Sequence, residues 1–205
     1  PVKFGISFTT PLLNQAGALV NVYKDGSIYI NHGGTEMGQG LFIKVAQVVA
    51  NEFGVEIERV KVSATSTAKV PNTSPTAASS GSDLNGMAAR EACLRIKQNM
   101  SEFALEHFDL SIGELKFQDS CVLLGKKKIT FDDFVSLSYL NRVELFSNGF
   151  YKTPKIYFDA FKQKGRPFYY YSYGACVSEV LVDCLTGEYK LIAVDILHDV
   201  GASLN

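Results

Sequence analysis

The chain has 205 residues, 46% of them apolar and 20% charged, with a formal net charge of −1. That length supports one domain, or two small intertwined lobes, around a real hydrophobic core. The near-neutral balance removes the electrostatic case for nucleic acid or an anionic membrane, and no apolar run approaches the ~20 residues that span a bilayer.

Elements follow in chain order. Residues 18–23 and 27–31 alternate apolar and polar around Lys24-Asp25-Gly26, a hairpin signal that puts Val20 and Val22 on one face with Ile28 and Ile30. A glycine-rich stretch, Gly33-Gly34-Thr35-Glu36-Met37-Gly38-Gln39-Gly40, leads into a helix whose seam is Leu41, Val45, Val48, Val49 and Phe53, with Gly54 as its stop. Residues 59–64 read as a strand. Residues 65–81 are almost all Thr, Ser, Ala, Pro and Asn and would pass for a linker. A second helix follows, with Gly86, Ala89, Cys93, Ile96, Met100 and Phe103 on its seam and Ser82 or Asp83 as its cap.

The stretch 104–165 is less legible. It offers a strand at Val122–Leu124, a solvated turn at Lys126-Lys127-Lys128, a short helix from Phe131 to Leu140 opening at Thr130, and a polar loop from Lys162 to Arg166. A second hairpin, residues 169–183 and 188–195, turns at Leu185-Thr186-Gly187. Strands and helices mix without a strict βαβ rhythm. The fold class is therefore α+β, two layers, with mixed β-sheets and packed helices.

Cys93, Cys121, Cys176 and Cys184 form no CxxC pair and have no histidine cluster beside them. They read as reduced, mostly buried thiols, and with no signal peptide at the start the expected location is cytoplasmic. Neither Pro1 nor Asn205 has the look of a natural boundary, so a piece of a longer chain is expected.

Two segments carry the chemistry. Glycines ahead of a helix let an anion reach unpaired N–H groups, and the Gln39 amide can donate and accept. No Gly-Lys-Ser/Thr follows, so this is not a Walker loop, and the spacing is not that of a dinucleotide fold. A turn that merely redirects the chain fits the same residues. The stretch Pro71-Asn72-Thr73-Ser74-Pro75-Thr76-Ala77-Ala78-Ser79-Ser80-Gly81-Ser82-Asp83 repeats the arrangement, with short hydroxyls as donors and Ala77, Ala78 and Gly81 leaving room for a bulky ligand. Two such loops favour one large anionic ligand. Neither Ser79 nor Ser80 has a histidine or a GxSxG elbow that would make it a nucleophile.

Together these segments resemble the molybdenum-containing subunit of the xanthine dehydrogenase and aldehyde oxidase family. Lys3-Phe4-Gly5-Ile6-Ser7-Phe8-Thr9 near the start, and the hairpin from Tyr173 to the closing Val200-Gly201-Ala202-Ser203-Leu204-Asn205, resemble it in the same order. The likeness covers essentially the whole chain, is weakest over 101–165, and is closer to the xanthine dehydrogenase branch than to the wider family.

The resemblance implies that residues 1–205 are part of a molybdopterin-binding domain truncated at both ends, with possible lobes at about 1–100 and 101–205. It implies molybdopterin with molybdenum held by Met37, Gly38, Gln39 and Gly40 on one side and Thr76, Ala77, Ala78, Ser79, Ser80 and Gly81 on the other, with the Ala78 backbone nearest the metal. Phe8 and Thr9 would meet a flat purine and Leu13 would close an apolar wall. The metal hangs from the cofactor's sulfurs, so His32 and Glu36 are expected to be structural and not metal ligands. The implied reaction is purine hydroxylation, hypoxanthine or xanthine to urate. Electrons leave through iron–sulfur centres and FAD to NAD on other domains or subunits of an oligomeric enzyme. The family's base, in a Gly-Glu-Pro-Pro motif, does not occur in these residues, so the chain alone is expected to be inactive. Alternatives are a related hydroxylase of aldehydes or nicotinate, a non-catalytic cofactor-binding module, and an unrelated nucleotide binder. One departure is Leu41-Phe42-Ile43 where the family often has Leu-His-Thr, which points to altered packing or a changed subunit contact.

Overall fold

A computed structural model of the chain describes residues 10–70, 72–77, 79–111, 113–169 and 171–204. Strands β1 (Gln15–Val22) and β2 (Ile28–His32) form the first hairpin, with Val20 opposite Ile30 and Val22 opposite Ile28 as the alternation requires. Asp25 fixes the turn: its Oδ1 accepts from the Ser27 amide at 3.0 Å and the Ser27 hydroxyl at 2.6 Å, and Gly26 takes φ +79°. Helix α1 (Leu41–Phe53) follows, and Gly54 ends it in the left-handed region, its amide donating to Ala50 and Asn51 carbonyls. Strand β3 (Val60–Val62) returns parallel to β2. Helix α2 (Gly81–Phe108) comes next, and much later β7 (Phe146–Lys152) pairs antiparallel with β1. The sheet order is β3-β2-β1-β7, so a strand from the second half of the chain completes the sheet of the first.

The even positions of β1 (Ala16, Ala18, Val20 and Val22) are buried in one core with Leu41, Val45, Val49 and Phe53 of α1 and Ala88, Ala89, Cys93, Ile96 and Met100 of α2. A helix layer on a mixed sheet is the expected α+β arrangement. Gly149 of β7 explains how closely α2 approaches: a Cβ there would overlap the Ala88 carbonyl and stand 2.6 Å from the Ala92 nitrogen.

The middle region, the least legible in the sequence, is a small meander of β4 (Leu115–Gln118), β5 (Cys121–Leu124) and β6 (Lys127–Thr130), followed by helix α3 (Phe131–Leu140). Thr130 caps α3 by accepting from the Asp133 amide at 3.1 Å. Phe131 and Phe134 join the meander to the core through Phe53 and Phe117, with ring centroids 5.8 and 6.1 Å apart. An ion pair between Arg59 and Asp132 closes the same junction. Two hairpins end the described chain: short β8 (Tyr157–Asp159) with β9 (Lys164–Arg166), and long β10 (Tyr173–Val182) with β11 (Tyr189–Asp199).

Some local expectations change. The solvated turn is limited to Gly125 and Lys126; Lys127 and Lys128 lie in β6, because Val122 and Ile129 need a cross-strand pair. Lys164–Arg166, expected as loop, is a strand paired with β8. The start of α2 is Gly81, with Ser80 at the N-cap position and no side-chain cap; neither Ser82 nor Asp83 serves, because both lie inside the first turn. Among the described residues no helix is long and apolar enough to cross a membrane.

Candidate functional site

The two small-residue segments meet. The Thr35 amide donates to Thr76 Oγ1 at 2.8 Å, a bond spanning 41 residues of sequence. Thr65 Oγ1 donates to the Gly34 carbonyl at 2.5 Å, and Ser74 Oγ donates to the carbonyls of Leu13 and, at 3.2 Å, Gln15. Asn72 Nδ2 donates to Gln15 Oε1 at 3.1 Å. A stretch with linker composition is thus stitched to the glycine segment and to the start of β1. Its short hydroxyls fasten backbone to backbone, which longer side chains could not do at this spacing.

A cleft of about 500 Å³ opens between the segments, lined by Met37, Gln39, Leu41 and Lys44 on one side and Thr76, Ala77, Ser79, Gly81 and Ser82 on the other. That volume and mixed lining suit a rigid, partly polar ligand. A hollow of about 510 Å³ beside Gly54 and Asp119 is as large but holds none of the cofactor-site residues expected from the sequence.

The four glycines of the first segment divide into two pairs. A Cβ on Gly33 would overlap the Thr73 side chain, and one on Gly34 would stand 2.5 Å from Leu41 Cδ2 and 2.8 Å from Asn85 Nδ2. These two let the segments pack together. Gly38 and Gly40 have φ +97° and +74°, and a Cβ on either would meet nothing within 4 Å. Their backbone faces are bare toward open space, which is where a flat ligand could approach.

The polar side chains of the loop turn back onto it. Glu36 Oε1 accepts from the amides of Gly38 and Gly40 at 2.8 and 3.1 Å, and Oε2 from Phe42 at 3.0 Å. Those amide hydrogens, Phe42's foremost, hold the Glu36 carboxyl below the usual range. Gln39 Oε1 accepts from the Met37 amide at 2.6 Å and its Nε2 donates to the Thr35 carbonyl at 2.9 Å. His32, 3% exposed, accepts from the Gly34 amide at its Nδ1, 3.0 Å away, and burial pushes its pKa down to about 4. The neutral ring therefore carries its proton on Nε2, which meets no partner among the described residues. Among those residues no group of three or more His, Cys, Asp or Glu could hold a metal ion. His32 and Glu36 both accept hydrogen bonds from backbone amides of the loop.

The site residues named from sequence fare unevenly. Met37, 66% exposed, and Gln39 line one side of the cleft, whereas Gly38 and Gly40 alternate with them in the loop and do not line it. Thr76, Ala77, Ser79 and Gly81 line the other. Ser80 is buried, and its hydroxyl donates to the Ala77 carbonyl at 2.9 Å, so it holds the loop and does not face the cleft. Leu13 is half-buried in a single 3-10 turn, residues Pro11–Leu13. Phe8, Thr9 and Ala78 lie outside the described residues. Lys44 was missed; its signal was position, four residues past Gly40 on the first turn of α1 and facing the cleft. Of the departing residues, Phe42 packs edge-on to the His32 ring at 5.2 Å, whereas Ile43 is exposed.

Comparison with known proteins agrees with this geometry. The profile of the molybdopterin cofactor-binding domain family matches residues 1–205. A xanthine dehydrogenase/oxidase of Felis catus is 47% identical over 208 residues, one of Gallus gallus 45% over 205, and a xanthine dehydrogenase of Oryza sativa subsp. japonica 47% over 205. Each covers 100% of this chain, which spans 14% of the length of those relatives. The fold is shared with quinoline 2-oxidoreductase from Pseudomonas putida 86 (TM-score 0.77, 18% identity, 93% of this chain and 24% of that one). It is shared also with the Cu,Mo-CO dehydrogenase (TM-score 0.75, 21% identity, 94% and 24%). Matched from end to end by that profile, the chain belongs to the molybdopterin cofactor-binding domain family.

Proposed function

We propose that this chain is the molybdopterin-cradling part of a xanthine dehydrogenase that hydroxylates purines, hypoxanthine and xanthine to urate, and passes the electrons to NAD. The observation that carries the reading is the shared cleft, with its two walls tied by Thr35 and Thr76. Identities of 45–47% to proteins named xanthine dehydrogenase support the purine branch. The residues fit the group: the bare faces of Gly38 and Gly40 leave room for a flat pterin, and Ser79, Ser82 and Lys44 bring hydroxyls and a cation to the phosphate. Met37 and Gln39 would hold the ring from one side and Thr76, Ala77, Ser79 and Gly81 from the other, with Ala78 assigned to that second side by the sequence resemblance alone. When bound, the cofactor supplies oxygen transfer to a carbon beside a ring nitrogen. These residues orient it and keep bulk away from it. Phe8, Thr9 and Leu13 would meet the purine, an assignment that rests on the sequence resemblance. Iron–sulfur, FAD and NAD sites belong to other parts of an oligomeric, cytoplasmic enzyme.

The test is made on the full-length protein. About one molybdenum and one pterin per chain are expected, with purines oxidised in preference to aldehydes and nicotinate. The 205-residue chain alone, holding only part of the cofactor's contacts, is expected to carry no molybdenum and no activity. Full-length protein without molybdenum in a host that makes the cofactor would overturn the reading, and a preference for aldehydes would move it to the related hydroxylases.

A further inference from the structure

Three amides at the entrance to α1 are already taken. Gly40 occupies the N-cap position in the left-handed conformation and has no side chain to cap with. The cap comes instead from four residues earlier, where the two oxygens of Glu36 receive the N–H groups of Gly38, Gly40 and Phe42. Gln39 closes the same turn from its other side, its amide satisfied by the Met37 and Thr35 backbone. What the loop then presents is neutral: Met37 and Gln39 line the cleft, and the Cα faces of Gly38 and Gly40 beside them are bare toward open space. A carboxylate and a phosphate cannot share three N–H donors, because the two anions would repel at hydrogen-bond distance.

We propose that Glu36 is the positioning residue of the cofactor loop: its carboxylate is a resident anion that folds residues 35–42 before any cofactor arrives and closes the amides of Gly38, Gly40 and Phe42 to the cofactor's phosphate. This deepens the reading above and rests on it. The loop is left to receive the flat ring, and the phosphate is directed to the rest of the cleft. The depressed Glu36 carboxyl agrees, since it stays ionised wherever the protein is folded near neutrality. Prefolding matters because Gly38 and Gly40, free of side chains, would otherwise have to be ordered by the cofactor itself.

The experiment uses full-length protein made in a host unable to synthesise molybdopterin, as wild type, Glu36→Gln and Glu36→Ala. Hydrogen exchange of the 35–42 amides and binding of inorganic phosphate are measured on each. The cofactor-free wild type is expected to protect the Gly38, Gly40 and Phe42 amides and to leave phosphate unbound there. Both variants are expected to exchange these amides about tenfold faster or more, and to regain protection when inorganic phosphate is added. The amides of β1 and β2 report whether the fold persists. Should Glu36→Ala lose them, Glu36→Gln, which keeps one acceptor oxygen but no charge, supplies the comparison. A wild-type loop that exchanges as fast as the variants, or takes phosphate as they do, overturns the proposal. Because both measurements omit the cofactor, they decide the role of Glu36 even if full-length protein from a competent host proves to hold no molybdopterin, the outcome that would sink the reading it rests on.

Discussion

At the scale of single residues, glycine content was visible in the sequence but the division of labour among the glycines was not. Gly34 and Gly38 look alike as letters. One is bare because Leu41 and Asn85 press on it from this chain; the other because nothing does and its φ is +97°. Their alanine variants should therefore differ. Gly34→Ala has to displace Leu41 from the core, an overpacking cost of about 1–3 kcal/mol, and should lower the unfolding midpoint. Gly38→Ala meets no atom and bears only a left-handed backbone cost of about 1–2 kcal/mol, so its unfolding midpoint should fall less than that of Gly34→Ala while the molybdopterin content of the folded full-length protein falls. Equal loss of fold in both would refute the distinction. His32 makes a second prediction. In the folded chain it takes a proton only near pH 4, against 6.5 for a free imidazole. Above pH 6.5 neither state is charged, so burial carries no electrostatic penalty. Between 6.5 and 4 only the unfolded state is protonated, so stability falls as pH falls, by about 3 kcal/mol in all. His32→Asn keeps an acceptor for the Gly34 amide and has nothing to titrate. Protection of the β1–β2 amides, corrected for intrinsic exchange, should drop across that window in the wild type and stay flat in the variant.

At the scale of elements, what could be read depended on how far each contact reaches in sequence. The β1–β2 hairpin, α1 with its Gly54 stop and α3 with its Thr130 cap are local, and their residues announced them. Strand β7 was illegible because its reason lies more than 120 residues away, beside β1: Gly149 sits opposite Ala18 and under the α2 backbone. The same holds for the start of α2, where the small residues at 76–81 read as making room for a ligand and the hydroxyl of Ser80 was given to that ligand, whereas in the fold it belongs to Ala77. The cleft itself was inferable only as two similar segments; the Thr35–Thr76 bond that joins them leaves no mark in either. The Gly149 contact is the sharper test of the element packing. Its neighbours are backbone atoms of Ala88 and Ala92, which cannot rotate away as a side chain would. Gly149→Ala should cost about 3 kcal/mol or more, at the upper end of overpacking effects, by separating α2 from β7. Denaturant unfolding would measure it. A loss below about 1 kcal/mol would mean that α2 does not lie as close to the sheet as the backbone distances require.

At the scale of the whole molecule, the long hairpin departs from the usual rule for apolar residues. Every described side chain of β10 is exposed, and all of β11 but the half-buried Ala193. The exposure is not scattered. Across the register Val180 faces Leu191 and Val182 faces Tyr189, and on the same side lie Cys176, Val194 and Ile196. A register shift after Glu179 leaves Ile192 unpaired and keeps Leu191 and Tyr189 on this side; without it they would point the other way. The opposite side mixes Glu179, Lys190, Asp195 and Asp199 with the exposed apolar Tyr173, Val177, Leu181 and Leu197. Exposed apolar side chains on both faces, denser on the first, and two open edges on a two-stranded ribbon invite association. The 205-residue chain alone should therefore self-associate as its concentration rises, read by sedimentation. Its thiols should report how. Cys93, fully buried and with its pKa pushed far above the thiol range by burial, should resist alkylation throughout. Cys184, in the exposed turn, should react throughout. Cys176 should react in dilute solution and become protected as the apolar faces meet. Val180→Glu with Leu191→Lys places opposite charges across one pair, which supports the hairpin while breaking the face. That double variant should stay monomeric with Cys176 reactive at every concentration. Association that survives it would place the contact elsewhere on the surface, at Tyr139, Leu140 and Phe146 or another exposed apolar group, and would remove the reason for the bulge.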